Sequence, residues 1–440
     1  MLRRTFFAFA CGLLALAGCA GAPPAMRGGA APRSLLLPYP GQGGQRQVGE
    51  PMATTPAATA SMSSRAPAGR MVALLAPLSG ANAERGRALE AAARMAMDAP
   101  GAPQLEVFDT QSSAEGAGAA VSRAIQGGAG MIIGPLTSAE TAAVAGPAQS
   151  AGVPVLAFTN DAGQARPGVW PLGLTPGQQM RRFVATLAGQ GKTRFAAALP
   201  TDGFGQAMGN ALSATLAEAG LPPASIHFHT GSTGSANQVM REVSAYSSRR
   251  GPIDAQLRAA TALHTAEGRK RAAELRREPI PPPPMDALVL ADFGDMLGTL
   301  ASLLPYYDLD ASKVRVIGPA QWAAPQVATT AELRGAWYAA PDPALRAEFT
   351  ARYAAVHGVA APGLADFAYD AAGIARALSA SGEGYSMAAL CRSEGFAGVN
   401  GVLGLLPDGR VRRGLAVFEI GRGGATMVEA SPNTLGEPGI

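Results

Sequence analysis

Three short segments place hydroxyl and carboxyl groups directly after apolar runs: Ser79-Gly80 after MVALLAPL, Thr137-Ser138 after MIIGPL, and Thr159-Asn160-Asp161 after VPVLAF. At the carboxyl end of a buried strand such residues lie beside backbone N–H groups and a helix N-terminus, which suits a small anionic or polar ligand. The same residue types cap helices with no ligand at all, so both roles stay open. Further on, Phe204 precedes Gly205, while Asp292 and Asp295 flank Phe293-Gly294, where an acid either pairs with a cation or starts the helix that follows. Bond-breaking chemistry has no matching pattern: G-x-S-x-G, H-E-x-x-H and S-x-x-K do not occur. GFGQAMG is spaced G-x-G-x-x-x-G and no acid ends the next strand, SIHFHT, so the dinucleotide fingerprint fails. His227 and His229 share one strand face without a third ligand close in sequence, and neither a metal nor a cofactor is expected. These residues are equipped to bind, not to react.

The elements that must position them alternate. From Met71 onward, continuous apolar strands (MVALLA, LEVFD, MII, VPVLAF) are each followed by an Ala-rich helical stretch, the first with Asn82 placed as its cap. Strands without polar alternation are covered on both faces, as in parallel βαβ sheets. A second series opens where Thr175 can cap a helix with Pro176 at its first position. It continues through RFAAALP, SIHFHT, ALVLADF and VRVIGPAQW. The expected fold class is therefore α/β, with two doubly wound parallel-sheet lobes joined by a multi-strand hinge. Residues 71–175 with 320–395 are expected to form the N-terminal lobe, and 176–319 with 396–440 the C-terminal lobe. VLGLLPDGRVRRGLAVFEI is read as two strands around the turn Asp408-Gly409.

Within the C-terminal lobe's span lies a charged excursion, 241–284. It carries nine basic residues (Arg241, Arg249, Arg250, Arg258, Arg269, Lys270, Arg271, Arg276 and Arg277) against five acidic ones, and ends in PIPPPP. It reads as one or two charged helices stopped by a stiff polyproline run. Arg269, Lys270, Arg271, Arg276 and Arg277 are the partner-docking candidates, since Arg can clamp carboxylates. The plainer alternative is a solvated surface excursion.

The N-terminus is a different kind of polymer. Arg3 and Arg4 precede about fourteen mostly apolar residues, short of the roughly 20 that span a bilayer, which identifies a secretion signal over 1–18. Leu16-Ala17-Gly18-Cys19 resembles the lipobox of bacterial lipoproteins. The resemblance implies that Cys19 is acylated and anchors the mature chain to a membrane, each buried methylene contributing about 0.8 kcal/mol. With Ala20 after it, nothing resembles the signal that retains such proteins at the inner membrane, so the inner leaflet of the outer membrane is the expected address in the periplasm. Residues 19–69 lack an apolar period and form a tether. Loss of Arg3 and Arg4 takes the formal charge from +4 to +2, too little to argue for nucleic acid. Of three cysteines only Cys391 then remains free in the body, which leaves no internal disulfide.

ALLAPLSGANAERGRALEAA, FDTQ, MIIGPLTSAETAAVA, GVPVLAFTND and AALPTDGFGQAM resemble, in order, the strand-loop-helix blocks of periplasmic binding proteins of the leucine/isoleucine/valine-binding type. DMLGTLASLLPYYDLDASKVRVIGPAQW is more similar to the penicillin-binding protein activator lipoproteins of that superfamily. The resemblance implies a non-enzymatic protein that docks on a peptidoglycan synthase and stimulates it. Its alternative is a substrate-binding lipoprotein of an ABC importer for branched-chain or other amino acids. For an amino-acid ligand the family pattern implies that Ser138 and Thr159 hold the carboxylate, with an aromatic residue and an acid supplied by the second lobe. Phe204 departs from that pattern, since it lacks the phenolic hydroxyl.

Overall fold

A computed structural model describes residues 71–437 and 439 of the 440-residue chain. Cys19, the signal and the tether lie outside the described residues.

The first sheet is built from β1 (Met71–Ala76), β2 (Leu105–Asp109), β3 (Ala129–Ile133), β4 (Val155–Ala157) and β5 (Val169–Pro171), all parallel, in the order β2-β1-β3-β4-β5. Between them run α1 (Ala83–Met97), α2 (Ala114–Gln126) and α3 (Ser138–Ala151). The unbroken apolar runs follow from double coverage: Val72 and Leu74 of β1 face one core with Leu89 of α1, while Ala73 and Leu75 face the other with Val121 of α2 and Val144 of α3.

The second lobe begins with α4 (Pro176–Gly189) and continues through β6 (Phe195–Pro200), α5 (Gly203–Glu218), β7 (Ser225–His229) and α6 (Thr233–Val243). The excursion follows as α7 (Tyr246–Ala262) and α8 (Ala266–Arg277). Next come β8 (Ala287–Leu290), α9 (Gly294–Tyr306), β9 (Arg315–Gly318), the short α10 (Pro325–Ala328) and β10 (Trp337–Ala340). The chain then returns to the first lobe as α11 (Pro343–His357), α12 (Ala365–Ser381) and α13 (Met387–Leu390), whose Phe349, Ala368 and Leu390 join the core of Val72 and Leu74. A small antiparallel sheet of β11 (Phe396–Gly398), β12 (Gly401–Leu405) and β13 (Val411–Arg413) packs on that same core. Finally β14 (Ala416–Gly421) and β15 (Gly424–Glu429) complete a seven-stranded sheet, β15-β14-β10-β9-β8-β6-β7.

Strand pairing moves two expected boundaries. The sequence reading returns the chain to the first lobe at 320, yet β10 pairs with both β9 and β14, so the return falls after Ala340. Likewise the stretch expected to join the second lobe from 396 packs β11 to β13 on the first lobe's core, and only β14 and β15 cross. The apolar strand GAWYAA carries no mark of which sheet it joins, and that explains the first shift. The turn at Asp408-Gly409 does close a hairpin, β12–β13, with Gly409 at φ +88 and so near Arg166 that a Cβ would come within 2.2 Å of the Arg166 nitrogen.

Three crossings therefore join the lobes: β5 to α4, β10 to α11 and β13 to β14. They are tied together by Gln178 Nε2 donating to the Val411 carbonyl at 3.1 Å, Trp170 Nε1 to the Leu406 carbonyl at 2.7 Å, and Arg413 Nη2 to the Leu172 carbonyl at 2.9 Å. Arg413 is buried, 3.9 Å from Asp370, which accepts from the Val399 N–H at 2.8 Å. Burial raises the Asp370 carboxyl to about 6, against the pull of Arg413.

Candidate functional site

Two of the three loops in the first lobe meet at one cavity of about 700 Å³ beside the crossings. Thr137 and Ser138 after β3, and Thr159 and Asn160 after β4, line it from the first lobe with Phe367 of α12; Gln179 of α4, Ala320 and Gln321 line it from the second. Among the lining side chains the charged ones are Arg85 and Asp161. Sequence reasoning missed Arg85 and Gln179 as wall residues, because nothing local links α1 and α4 to the loops after β3 and β4.

Most of the hydroxyls are already engaged. Thr137 caps α3 reciprocally: its side chain accepts from the Glu140 N–H, and Glu140 Oε2 accepts from the Thr137 N–H at 2.8 Å. Thr159 Oγ1 accepts from the Asp161 N–H at 3.1 Å. Ser138 donates its hydroxyl to Asp161 Oδ2, a bond that ties the two loops together. Gln164 Nε2 donates to the same carboxylate oxygen at 3.1 Å and to Ser138 Oγ at 3.0 Å, while Oδ1 accepts from the Gly163 N–H at 2.9 Å. The Ser138 hydroxyl, against a smaller upward push from burial, holds the Asp161 carboxyl below its ordinary value, so it is ionised at neutral pH. Of Thr137, Ser138, Thr159, Asn160 and Asp161, Asn160 alone is exposed.

The remaining candidates lie outside the cavity's lining. Ser79 is held by Asp109, its hydroxyl donating to Oδ2 at 2.6 Å and its N–H to Oδ1 at 3.2 Å. Asn82 occupies the cap position of α1 without making a cap bond; its Oδ1 accepts from Arg85 Nη1 at 3.0 Å instead. Phe204 meets Phe293 with ring centroids 5.6 Å apart. Gly205 beside it packs so tightly under β6 that a Cβ would come within 2.0 Å of the Pro200 carbonyl oxygen, a packing role. Asp292 neither caps α9 nor faces the cavity: Phe293 holds the cap position, and Asp292 Oδ2 pairs with buried His229 Nε2 at 3.1 Å. The Gly231 N–H donates to His229 Nδ1, which leaves Nε2 to carry the proton toward Asp292. Burial pushes the Asp292 carboxyl up, against the pull of His229. Asp295 sits exposed in the first turn of α9, a favourable place beside a helix dipole. Among the described residues, no three His, Cys, Asp or Glu side chains gather as a metal site, and no helix is long and apolar enough to cross a membrane.

The excursion is an ordered pair of helices joined through 263–265, with a small core of Ile253, Ala260, Ala272 and Leu275. Arg249 fastens its base: Nε donates to the Pro281 carbonyl at 2.7 Å, Nη1 to the Ser244 and Tyr307 carbonyls, and Nη2 to Asp308 at 3.1 Å. Arg250 pairs with Asp254, and Arg271 with Glu274 and Gln256. Arg269 reaches the His264 carbonyl at 3.4 Å. Lys270, Arg276 and Arg277 are exposed and have no ion-pair partner among the described residues.

Residues 71–425 match the family model for periplasmic binding proteins. No curated protein sequence matches the chain. Among solved structures, full-length LpoA from Haemophilus influenzae is similar with a TM-score of 0.60 at 19% identity, covering 83% of this chain and 60% of that one. This chain thus spans about 60% of the length of full-length LpoA. The LpoA C-domain from the same organism, described as a regulator of PBP1A, gives a TM-score of 0.58 at 19% identity, covering 81% of this chain and 99% of that one. A branched chain amino acid ABC transporter periplasmic ligand-binding protein from Burkholderia xenovorans LB400 gives 0.56 at 16% identity, covering 83% and 95%. At these identities the likeness carries the fold, a two-lobed type I architecture.

Proposed function

The chain belongs to the periplasmic binding protein family, and from that premise we propose that it is a non-enzymatic, lipid-anchored periplasmic protein that binds and activates a penicillin-binding protein. Cys19 anchors it to the inner leaflet of the outer membrane, and 19–69 give the body reach. The N-terminal lobe comprises 71–175 and 341–413, the C-terminal lobe 176–340 and 414–429. The exposed basic residues of the excursion, Lys270, Arg276 and Arg277 first among them, dock the synthase, with Arg269 and Arg271 flanking them. Binding favours whichever synthase conformation holds this protein more tightly, by the difference in affinity between the two states.

One observation carries this choice over transport: the Ser138 hydroxyl is spent on the ionised Asp161. The α-carboxylate of an amino acid placed on Ser138 and Thr159 would meet a like charge at the hydroxyl meant to receive it. The buried acid of the second lobe, Asp292, is committed to His229 and does not line the cavity, so the second lobe supplies no counter-ion for the ammonium group. Similarity to the LpoA C-domain, described as a regulator of PBP1A, supports the same reading.

The cavity itself favours a second reading, an amino-acid-binding lipoprotein of an ABC importer, with Thr137, Ser138, Thr159 and Asn160 as ligand residues. Capture of purified cell-wall synthases on the full-length lipoprotein, run beside an amino-acid thermal-shift panel, separates the two. A synthase retained in a salt-sensitive complex, with no amino acid raising the melting temperature, supports regulation. Tight leucine binding with no synthase retained supports transport.

A further inference from the structure

Residues 279–284, Pro-Ile-Pro-Pro-Pro-Pro, lead from α8 to β8 outside helix and sheet. Proline fixes φ near −65°, and a residue before proline is confined to extended conformations. Such a run is a polyproline II segment: left-handed, three residues per turn, and about 19 Å long over six residues. Three residues per turn give the segment three edges, and its burial follows that period. Pro283 is buried, and Ile280, three residues before it, packs on the core of Ile253 and Leu275. Pro279 and Pro282 form a second edge and Pro281 and Pro284 a third, and all four are exposed.

Two of three edges thus face water along one rigid ridge. A groove that grips a polyproline helix takes two edges and leaves the third turned away; here the third is the edge already sunk into the protein. The ridge is fastened through its backbone, by Arg249 Nε on the Pro281 carbonyl, so the outward rings are left clear. Little conformational freedom remains to be lost on docking. The ridge also has a charged end. Arg276 and Arg277, exposed and without ion-pair partners among the described residues, close α8 immediately before it, in the sequence spacing Arg276-x-x-Pro279-x-x-Pro282, with the chain bending at Glu278 between helix and ridge.

We propose that this ridge is a docking site for a protein groove walled by aromatic rings with a carboxylate at one end, the chemistry of an SH3-type domain, entered with the arginines leading. The ridge shares Arg276 and Arg277 with the synthase-docking face proposed above but adds the proline rings, so Pro279→Ala with Pro282→Ala, which leaves both arginines in place, separates failure of the ridge from failure of the synthase reading.

The test is a calorimetric titration of the full-length protein with two SH3 domains, one selecting Arg-x-x-Pro-x-x-Pro and one selecting the reverse order. Saturable one-site binding of the first is expected, weakened at least about tenfold by Pro279→Ala with Pro282→Ala. Arg276→Ala with Arg277→Ala should weaken it about threefold at low salt, and the difference should vanish near 1 M salt, where screening acts within about 3 Å. Independently of any variant, the bound domain should slow hydrogen exchange at the amides of Arg277, Glu278 and Ile280. The inference is overturned by absence of saturable binding, by binding that survives the double proline substitution, by equal binding of the reverse-order domain, or by protection elsewhere and not at those three amides.

Discussion

The Asp161 carboxylate should set what the cleft refuses, and Asp161→Asn tests that directly. Ser138 donates to Asp161 Oδ2. A ligand carboxylate accepting from the same hydroxyl would therefore place its oxygen about 5 Å from Oδ2, two hydrogen-bond lengths around one donor. Coulomb repulsion at that separation is about 1 kcal/mol in a wet cleft and about 3 kcal/mol at the effective dielectric of a partly closed one. Asp161→Asn keeps Oδ1 for the Gly163 N–H and removes the charge. Affinity for leucine should rise between about fivefold and 150-fold, and affinity for leucinamide, which lacks the carboxylate, should not. Isothermal titration of both ligands against both proteins reads the difference. Wild-type protein that prefers leucine to leucinamide, with a ratio unmoved by the substitution, would refute the reasoning.

Three further outcomes follow from the same structure. Burial raises the Asp370 carboxyl from 3.8 to about 6, so between those values the folded protein binds more protons than the unfolded chain and stability falls as pH rises. The fall is about 3 kcal/mol, complete above pH 6 and absent below pH 4, and urea melts across that window should be flatter in Asp370→Asn. Arg249→Ala strands the Asp308 carboxylate and the Pro281, Ser244 and Tyr307 carbonyls, at a cost of about 3 kcal/mol; hydrogen exchange over α7 and α8 should quicken about a hundredfold while α2 and α3 stay protected. If Cys19 carries the proposed acyl chains, Cys19→Ala should move the full-length protein from the detergent phase to the aqueous phase in a phase-partition assay, since those chains would supply the membrane affinity; unchanged partitioning would argue against lipidation at that residue.

The sequence made the parallel strands of the two sheets legible because β1, β3, β6 and β8 are apolar at nearly every position, which only double coverage explains. Thr175 and Pro176 marked the start of α4 for a local reason, and Thr175 accepts from the Gln178 N–H as that motif requires. The return of β10 to the second sheet was not legible, since strand pairing depends on residues far away in sequence. The site divides in the same way. Thr137, Ser138, Thr159 and Asn160 follow their strands and do line one cavity. Ser79 was drawn away by Asp109 and Asp292 by His229, bonds spanning 30 and 63 residues. Ser138 and Asp161 were both visible as loop residues, but their bond, which turns a ligand donor into a guarded one, spans 23 residues and needs the fold.

The most direct test of the account is equilibrium binding of the full-length protein to a purified bifunctional peptidoglycan synthase, with polymerisation followed in the same sample. The account predicts a saturable complex that weakens with salt and with Lys270, Arg276 and Arg277 changed to Ala, and glycan synthesis that rises as the complex forms. A synthase that neither binds nor changes rate, beside a protein that holds leucine tightly, would contradict it.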